Sequence, residues 1–387
     1  MDDGRATTFR TASSQDLDSI VQAVLAGSSE DVEHAEGLPP AAYTSQAFYD
    51  LEMEKIFKPE WHCVGHVSEV ANVGDYFTLD MLGEALVVVR GPDRIRVLSR
   101  NCLHRWASVV SGAGNARSFN CPFHNWNYAL DGQLIAAPFM DRAAKFEIGN
   151  CRLPEIKSEI IEDLGLIFIT FANQIDSISE RLADLSQRLA NYHMKDLVSV
   201  PSPGTDYRFN WKFQIETGIE AYHHFGTHRD SLQPLYPTRL SWCEESKKGW
   251  TICHSPAHPD VSIATLPVFP DLREDEIPGN DLYLIYPAMR LGIYPDRIRL
   301  RLIIPVAPDR TLSRALFLLR PEVAAQTERV KQDFVSGPAT VGQEDSWIDE
   351  MQQRAAASSL VRGGRLSHLE ATVWHLAEYI RGRLRPG

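Results

Sequence analysis

The chain has 387 residues, of which 44% are hydrophobic and 23% charged, a composition typical of a soluble globular protein with two domains. Its formal net charge of −12 argues against nucleic acid as a partner, because nothing offsets the repulsion by phosphates. The sequence shows no run of eighteen apolar residues and no signal-peptide pattern, so we expect a cytoplasmic protein without a membrane segment.

The first part of the chain has a helical start followed by a β-rich region. Residues 1–45 are polar and acidic, and we expect them to pack on the second domain. Residues 47–57 have apolar side chains at helical spacing. From residue 61 to residue 171, short β-branched runs alternate with Gly, Asn and Asp, which is typical of antiparallel strands. This pattern predicts a small β domain over residues 46–172.

Residues 173–387 have the mixed pattern of a second domain. Helices are predicted at 177–189, 208–225, 323–334, 345–358 and 366–384, and strands at 282–286, 298–305 and 313–320. The proline-rich, acidic residues 255–281 have no clear period, and we expect them to form a surface loop.

The most specific motif pairs cysteine with histidine twice. Cys102-Leu-His104 is followed, after sixteen residues, by Cys121-Pro-Phe-His124. Two thiolates and two imidazoles on short loops suit a [2Fe–2S] cluster in which one iron takes both cysteines and the other both histidines. A Cys2His2 zinc site needs the same ligand types, so the spacing alone leaves both metals open. The remaining cysteines are too scattered for a second motif and are expected to be free thiols: Cys63, Cys151, Cys243 and Cys253.

The segments around these ligands resemble the Rieske domain of ring-hydroxylating, Rieske non-haem iron oxygenases. Two positions depart from that family: Trp106 stands where glycine or alanine is commoner, and Asn125 where glycine is commoner. Neither is a ligand position, so only the shape of the loops is affected. The segments that carry the resemblance are Asn101–Arg105, Gly112–Asn115, Phe119–Tyr128 and Leu130–Leu134, preceded by Ile56–His66 and Val73–Tyr76.

A second group of candidate metal ligands lies near the middle of the chain. On an ideal helix Glu216, Glu220 and His223 share one face. His228 would lie about 140° from His223, so the turn must open for both to face one ion, and Gly226 permits that opening. Two imidazoles and one carboxylate leave positions free on ferrous iron for O₂, the facial-triad pattern of non-haem oxygenases.

The resemblance implies the remaining ligand and a role for Glu220. Asp345, at the start of a predicted helix, matches the family's carboxylate ligand, and Glu344 is the alternative. Glu220 matches an acidic residue that bridges an iron histidine, here His223, and a cluster histidine, here His124. Aspartate is usual at this position in ring dioxygenases, whereas glutamate resembles the branch that acts on carnitine-like and other quaternary amines.

The resemblance also implies an α+β fold with two cofactors. An all-β Rieske [2Fe–2S] domain would be joined to a helix-grip (START/Bet v1-like) catalytic domain with an antiparallel sheet and helices. Such a terminal oxygenase uses a Rieske cluster, mononuclear Fe(II), O₂ and electrons that come from NAD(P)H through a separate reductase, with or without a ferredoxin. The implied assembly is a homotrimer or larger ring, in which the cluster of one subunit serves the iron of its neighbour.

The residues leave the substrate open. Apolar segments at 282–286 and 289–294 favour an aromatic or other largely apolar substrate, which would place the protein in aromatic catabolism. If that substrate has a carboxylate, we expect an arginine to bind it. The same two segments also fit core strands. The alternative is a monooxygenase or demethylase acting on a quaternary amine. An electron carrier that uses only the cluster is disfavoured by chain length and by the second ligand set. His224 fits a pocket-lining role and a structural role equally well.

Overall fold

The computed structural model describes residues 16–277, 279–326 and 339–385. These residues form two compact units: one contains the chain up to Phe57 together with the chain from Val200 onward, and the other is Lys58–Ser199. Residues 46–57 and 173–199 therefore lie on the other side of the boundaries expected from sequence. Part of the predicted helix 323–334 lies outside the described residues. Within those residues, no helix is both long and apolar enough to cross a membrane.

The helices differ most from expectation in the middle of the chain. The predicted helix 208–225 is wrong in extent: its α-helical part ends at Glu216, just before Gly218, and only a 3-10 turn follows at Tyr222–Phe225. The α-helices in chain order are α1 Leu17–Ala26, α2 Ala41–Thr44, α3 Gln46–Glu52, α4 Ile178–Arg181, α5 Ala183–Arg188, α6 Trp211–Glu216, α7 Pro321–Ala324, α8 Ala339–Ala356 and α9 Ala371–Leu384.

The unit Lys58–Ser199 contains three small antiparallel sheets. Their strands are β1 Trp61–His66, β2 Asp75–Met81, β3 Glu84–Arg90, β4 Ile95–Ser99, β5 Ala113–Asn115, β6 Phe119–Asn120, β7 Asn127–Tyr128, β8 Leu134–Ala136, β9 Lys157–Ile161 and β10 Leu166–Thr170. The sheet orders are β1-β10-β9, β4-β3-β2-β5 and β6-β7-β8. Apolar side chains of β3 and β4 pack with Trp126 and Tyr128 behind the two cysteine loops, so the loops rest on a core.

The second unit is built on one seven-stranded sheet. Its strands are β11 Val198–Tyr207, β12 Trp242–Cys243, β13 Trp250–Ser255, β14 Asn280–Ile285, β15 Met289–Ile293, β16 Ile298–Ala307 and β17 Arg310–Leu319. The order is β11-β17-β16-β15-β14-β13-β12, and the neighbouring pairs from β12 to β17 are antiparallel. Helix α6 packs against β16 and α8, and α9 packs against β13. The sheet therefore supports helix α6 and the start of the segment that follows it.

Candidate metal centres

The two cysteine loops share one hydrogen-bond design. In each, the cysteine N–H donates to the carbonyl five residues later, at 2.9 Å for Cys102 and 2.7 Å for Cys121. The N–H of the fourth residue, Trp106 or Asn125, donates back to the cysteine carbonyl, at 2.9 and 3.0 Å. That fourth residue has a positive φ, 61° for Trp106 and 57° for Asn125. Glycine adopts this conformation without steric cost, which explains why it is common here in proteins that the loops resemble.

The four predicted cluster ligands differ in burial according to their type. Cys102 and Cys121 are buried in the apolar core, whereas His104 and His124 lie toward solvent with their Nδ1 atoms 3.2 Å apart. The Tyr128 hydroxyl lies 3.3 Å from the Cys102 sulfur and accepts a hydrogen bond from the backbone N–H of Leu103 at 3.0 Å. Burial raises the Tyr128 pKa well above its ordinary value, so the hydroxyl stays protonated and can donate to a thiolate. Thiolates inside and imidazoles outside suit a two-iron cluster better than one tetrahedral ion.

The second predicted ligand set converges on one point. Ligand atoms of His223, His228 and Asp345 all lie within 4.8 Å of one another. Asp345 Oδ1 lies 2.7 Å from His228 Nε2 and 3.6 Å from His223 Nε2. The chain makes this possible because the turn after α6 opens between the two histidines and α8 supplies the carboxylate. The donor set of two imidazoles and one carboxylate is the one that non-haem ferrous oxygenases use.

A carboxylate faces the other nitrogen of each imidazole. His223 Nδ1 lies 2.5 Å from Glu220 Oε1, and His228 Nδ1 lies 2.7 Å from Glu344 Oε2. Each Nδ1–H can therefore donate to a carboxylate, which leaves each Nε2 lone pair directed at the convergence point. Glu344, the alternative to Asp345 as a ligand, thus contacts the far side of His228.

The electrostatics of the second site favour a cation. Burial lowers the pKa of His223, but Glu220 and Asp345 outweigh burial and raise that pKa to about 10. Burial raises the Asp345 pKa, but hydrogen bonds from His223 and His228 outweigh it and hold the pKa well below its usual range. The carboxylates therefore stabilise positive charge between the imidazoles, which is the property that a divalent metal site requires.

Two residues expected near this site, Glu216 and His224, form hydrogen bonds with groups that are not metal ligands. Glu216 does not share a helical face with Glu220 and His223, because α6 ends at Glu216, and its carboxylate accepts from the Tyr43 hydroxyl at 2.7 Å. Burial raises the Glu216 pKa to about 7. His224 is buried with its Nδ1 3.2 Å from the Tyr236 carbonyl, and burial lowers its pKa to about 3. The hydrogen bond to the Tyr236 carbonyl is consistent with a structural role for His224.

An open cavity of about 620 Å³ adjoins Glu220 and His223. Three glutamates contribute to its wall, Glu216, Glu220 and Glu370. Two aromatic residues at the opening, Tyr222 and Phe225, are 47% and 70% exposed. The cavity therefore opens beside Glu220 and His223.

Sequence reasoning missed several residues around the second site. Asp349 lies one helical turn after Asp345 and accepts from the Thr217 hydroxyl at 2.5 Å. Three arginines on β15 and β16 lie below α6, where only an unspecified arginine was expected. The sequence does contain a sign of two of them: Arg299 and Arg301 are two residues apart in an otherwise apolar strand, so their side chains share one face of the sheet.

Comparisons with known proteins agree with both sites. Residues 60–147 match the family described as Rieske [2Fe-2S] domain, and residues 194–385 match the family described as Ring hydroxylating alpha subunit (catalytic domain). The chain belongs to the Rieske non-haem iron oxygenases. The carnitine monooxygenase oxygenase subunit of Acinetobacter pittii is 29% identical over 336 residues, covering 85% of this oxygenase and 87% of the relative.

Two further relatives extend the comparison. The 2-aminobenzenesulfonate 2,3-dioxygenase subunit alpha of Alcaligenes sp. is 27% identical over 332 residues, covering 79% of this chain and 80% of that one. The crystal structure of naphthalene 1,2-dioxygenase from Rhodococcus sp. superposes with a TM-score of 0.77 at 21% identity, covering 95% of this chain and 97% of that one. The predicted α+β fold is confirmed, with a Rieske domain and a catalytic domain of antiparallel sheet and helices.

The family membership also confirms the enzyme class and the cofactors. This oxygenase is a terminal subunit that uses a Rieske [2Fe–2S] cluster and a mononuclear iron and receives electrons through a reductase partner. The zinc alternative and the pure electron carrier are thereby set aside. When bound, the cluster supplies single electrons and the ferrous ion supplies O₂ activation.

Proposed function

We propose that His223, His228 and Asp345 hold the mononuclear iron at which this oxygenase hydroxylates a small organic substrate. The observation that carries this assignment is the convergence of the two Nε2 atoms and Asp345 Oδ1. Both imidazoles also have a carboxylate at Nδ1, the support that metal-bound histidines need to keep their tautomer and orientation.

We assign the Rieske cluster to Cys102, His104, Cys121 and His124. The assignment is supported by the paired loops, the buried thiols and the adjacent imidazole Nδ1 atoms. The unit Lys58–Ser199 is then the electron-transfer domain. The unit that contains the seven-stranded sheet is the catalytic domain, to which the N-terminal helices α1 to α3 belong.

We propose that the protein works as a homotrimer or larger ring, with Glu220 of one subunit accepting a hydrogen bond from His124 of the next. Glu220 already accepts from His223 Nδ1 and from the backbone N–H groups of Tyr222 and His223. The cavity beside Glu220 is open, and the His124 ring is exposed. The exposed side chains next to the cluster, Trp106 and Phe123, supply apolar area for such a contact.

The substrate class has two candidates. The first is an aromatic or other largely apolar compound, and the second is a quaternary amine. Glutamate at position 220 and the similarity to a carnitine monooxygenase favour the amine, while the similarity to an aminobenzenesulfonate dioxygenase favours the aromatic compound. The relatives therefore do not support aromatic catabolism in particular.

The iron site can be tested separately from turnover. His228→Ala should lose the mononuclear iron after anaerobic reconstitution, and oxygen uptake with it, while the visible absorbance of the cluster stays unchanged. His258→Ala, a change at a part-exposed histidine of the same unit, is the matched control. Full iron content in His228→Ala would overturn the ligand assignment.

Substrate class is then decided by oxygen uptake with a reductase and a panel of aromatic acids and quaternary amines. The first candidate predicts uptake coupled to hydroxylated aromatic product. Turnover confined to the amines would eliminate it in favour of the second.

A further inference from the structure

Three arginines lie on one face of the catalytic sheet. Arg290 on β15 stands directly opposite Arg301 on β16, and Arg299 stands opposite Gly292. Because directly opposed residues in antiparallel strands share a face, the three guanidinium groups belong to the same surface. Like charges in this arrangement destabilise a sheet, so pairing of the strands does not account for them.

The protein does not neutralise these charges. Arg290 Nη1 donates to the carbonyl of Gln214 at 2.7 Å and to its side-chain Oε1 at 3.1 Å, and Arg301 Nη1 donates to the same Oε1 at 2.8 Å. The Arg299 Nε is buried and has no hydrogen-bond partner among the residues that the structure describes. Across the described ranges, no carboxylate lies within ion-pairing distance of any of the three. A neutral amide orients two guanidinium groups but leaves their charge uncompensated.

The arginines lie next to the segment that carries the iron ligands. A Cβ at Gly218 would lie 1.6 Å from Arg290 Cζ, so the guanidinium packs directly on the turn between Glu216 and Glu220. Burial and the nearby Arg301 charge together lower the Arg290 pKa to about 9, while Asp345 acts in the opposite direction. Gly218 follows α6 and precedes His223 by five residues, so Arg290 lies beside the segment that leads to the proposed iron ligands.

The neighbours of the arginines on the sheet are partly apolar. Each of the three side chains is half-buried and retains some accessible surface. Leu284 is the cross-strand neighbour of Arg290, and Phe317 is the neighbour of Arg299, with the guanidinium 5.8 Å from the ring centroid. The surface therefore combines concentrated positive charge with apolar contacts.

We propose that Arg290, Arg299 and Arg301 bind the carboxylate or sulfonate end of the substrate, so that this oxygenase acts on organic anions. The planar guanidinium donors match the oxygens of either group, and a bound oxyanion supplies the negative charge that the protein omits. The apolar body of the anion would lie against Leu284 and Phe317. The proposal deepens the proposed function, because it rests on an iron site at the neighbouring His223, His228 and Asp345.

The test is a binding measurement on the reconstituted holoenzyme. Isothermal titration calorimetry compares benzoate and benzenesulfonate with their neutral counterpart benzamide, with tetramethylammonium, and with a betaine that carries both a cation and a carboxylate. We expect both oxyanions to bind at least tenfold more tightly than benzamide, and the ratio of benzoate to benzenesulfonate affinity identifies the preferred group. Equal affinity for anions and benzamide, or tightest binding of tetramethylammonium, would overturn the proposal.

Arg299→Gln is the main variant, because the buried Arg299 Nε has no partner within the described part of the chain that the change would leave unsatisfied. It should weaken oxyanion binding about tenfold or more without changing benzamide binding, and Arg299→Lys should recover part of the loss. Arg310→Gln is the matched control, since Arg310 on β17 is already paired with Asp206 at the surface. Unchanged anion affinity in folded Arg299→Gln and Arg299→Lys, each checked by calorimetric melting, contradicts the assignment.

His228→Ala separates this proposal from the iron assignment. The variant should lose iron but still prefer benzoate to benzamide, because the arginines remain. If it keeps its iron, the proposed function fails while the anion preference stands. If it loses iron and the wild-type protein shows no anion preference, the iron site stands and the arginine proposal fails.

Discussion

Glu344→Gln tests whether the carboxylate behind His228 supports metal binding. Glu344 accepts from His228 Nδ1 at 2.7 Å and from the Ser231 hydroxyl at 2.7 Å. Partial burial raises the Glu344 pKa, but these two hydrogen bonds outweigh burial and hold it below the ordinary value, so the group is anionic at neutral pH. Glutamine retains the acceptor oxygen and the length of the side chain, so the change removes mainly the charge.

The size of the effect follows from the exposure of the group. Removing the carboxylate behind a metal-bound histidine costs about 10- to 100-fold in metal affinity. Because the Glu344 side chain is 29% exposed, solvent screens part of its field, and we expect the lower end. The prediction is a loss of about tenfold in Fe(II) affinity, or about 1.4 kcal/mol.

The assay is anaerobic competition with a chromogenic ferrous chelator, and the visible absorbance of the Rieske cluster serves as the internal reference. Glu350→Gln is the control, since Glu350 lies on the same helix α8 and pairs with Arg354 at the surface, at 3.6 Å. Identical chelator titrations for Glu344→Gln and wild type would refute the reasoning. Complete loss of iron, as large as that of Asp345→Asn, would mean that Glu344 is itself a ligand.

Three further predictions follow from named contacts. Trp106→Gly should stabilise the protein by about 0.5 kcal/mol, because an 80% exposed tryptophan loses little packing and glycine adopts the positive φ freely; a lower denaturation midpoint would contradict this. Tyr128→Phe should lower the reduction potential of the cluster by on the order of 50 mV, because it removes the hydroxyl beside the Cys102 sulfur, and voltammetry measures the shift. Asp349→Asn should raise stability at pH 8 relative to pH 5: burial raises the Asp349 pKa from 3.8 to about 7, so its contribution is present below pH 3.8 and lost as pH rises through 7. Between pH 5 and the folded-state pKa of about 7 the gain is at most about 3 kcal/mol, and parallel pH profiles of melting temperature for variant and wild type would argue against it.

Several expectations stay predictions. They are the homotrimer, the cytoplasmic location and the roles of the ligand residues, which the iron measurements described above address.

The sequence by itself determined the features that depend on local pattern. Cys102-x-His104 and Cys121-x-x-His124 are complete within two loops, so ligand types and spacing suffice to predict a metal centre there. Strands such as β3, β16 and β17 follow from runs of β-branched and apolar residues, because period and composition act over a few residues. The family resemblance rested on the same short motifs.

Only the tertiary structure decided which distant residues meet. His228 and Asp345 are 117 positions apart, and their contact depends on how α8 packs against α6. The packing of the Arg290 guanidinium on Gly218, just after α6 ends at Glu216, is likewise absent from helical periodicity. The opposition of Arg290 and Arg301 requires the register of β15 with β16. Register, packing and burial are set by the whole chain at once, and for this reason local pattern could identify metal ligands but not the residues that surround them.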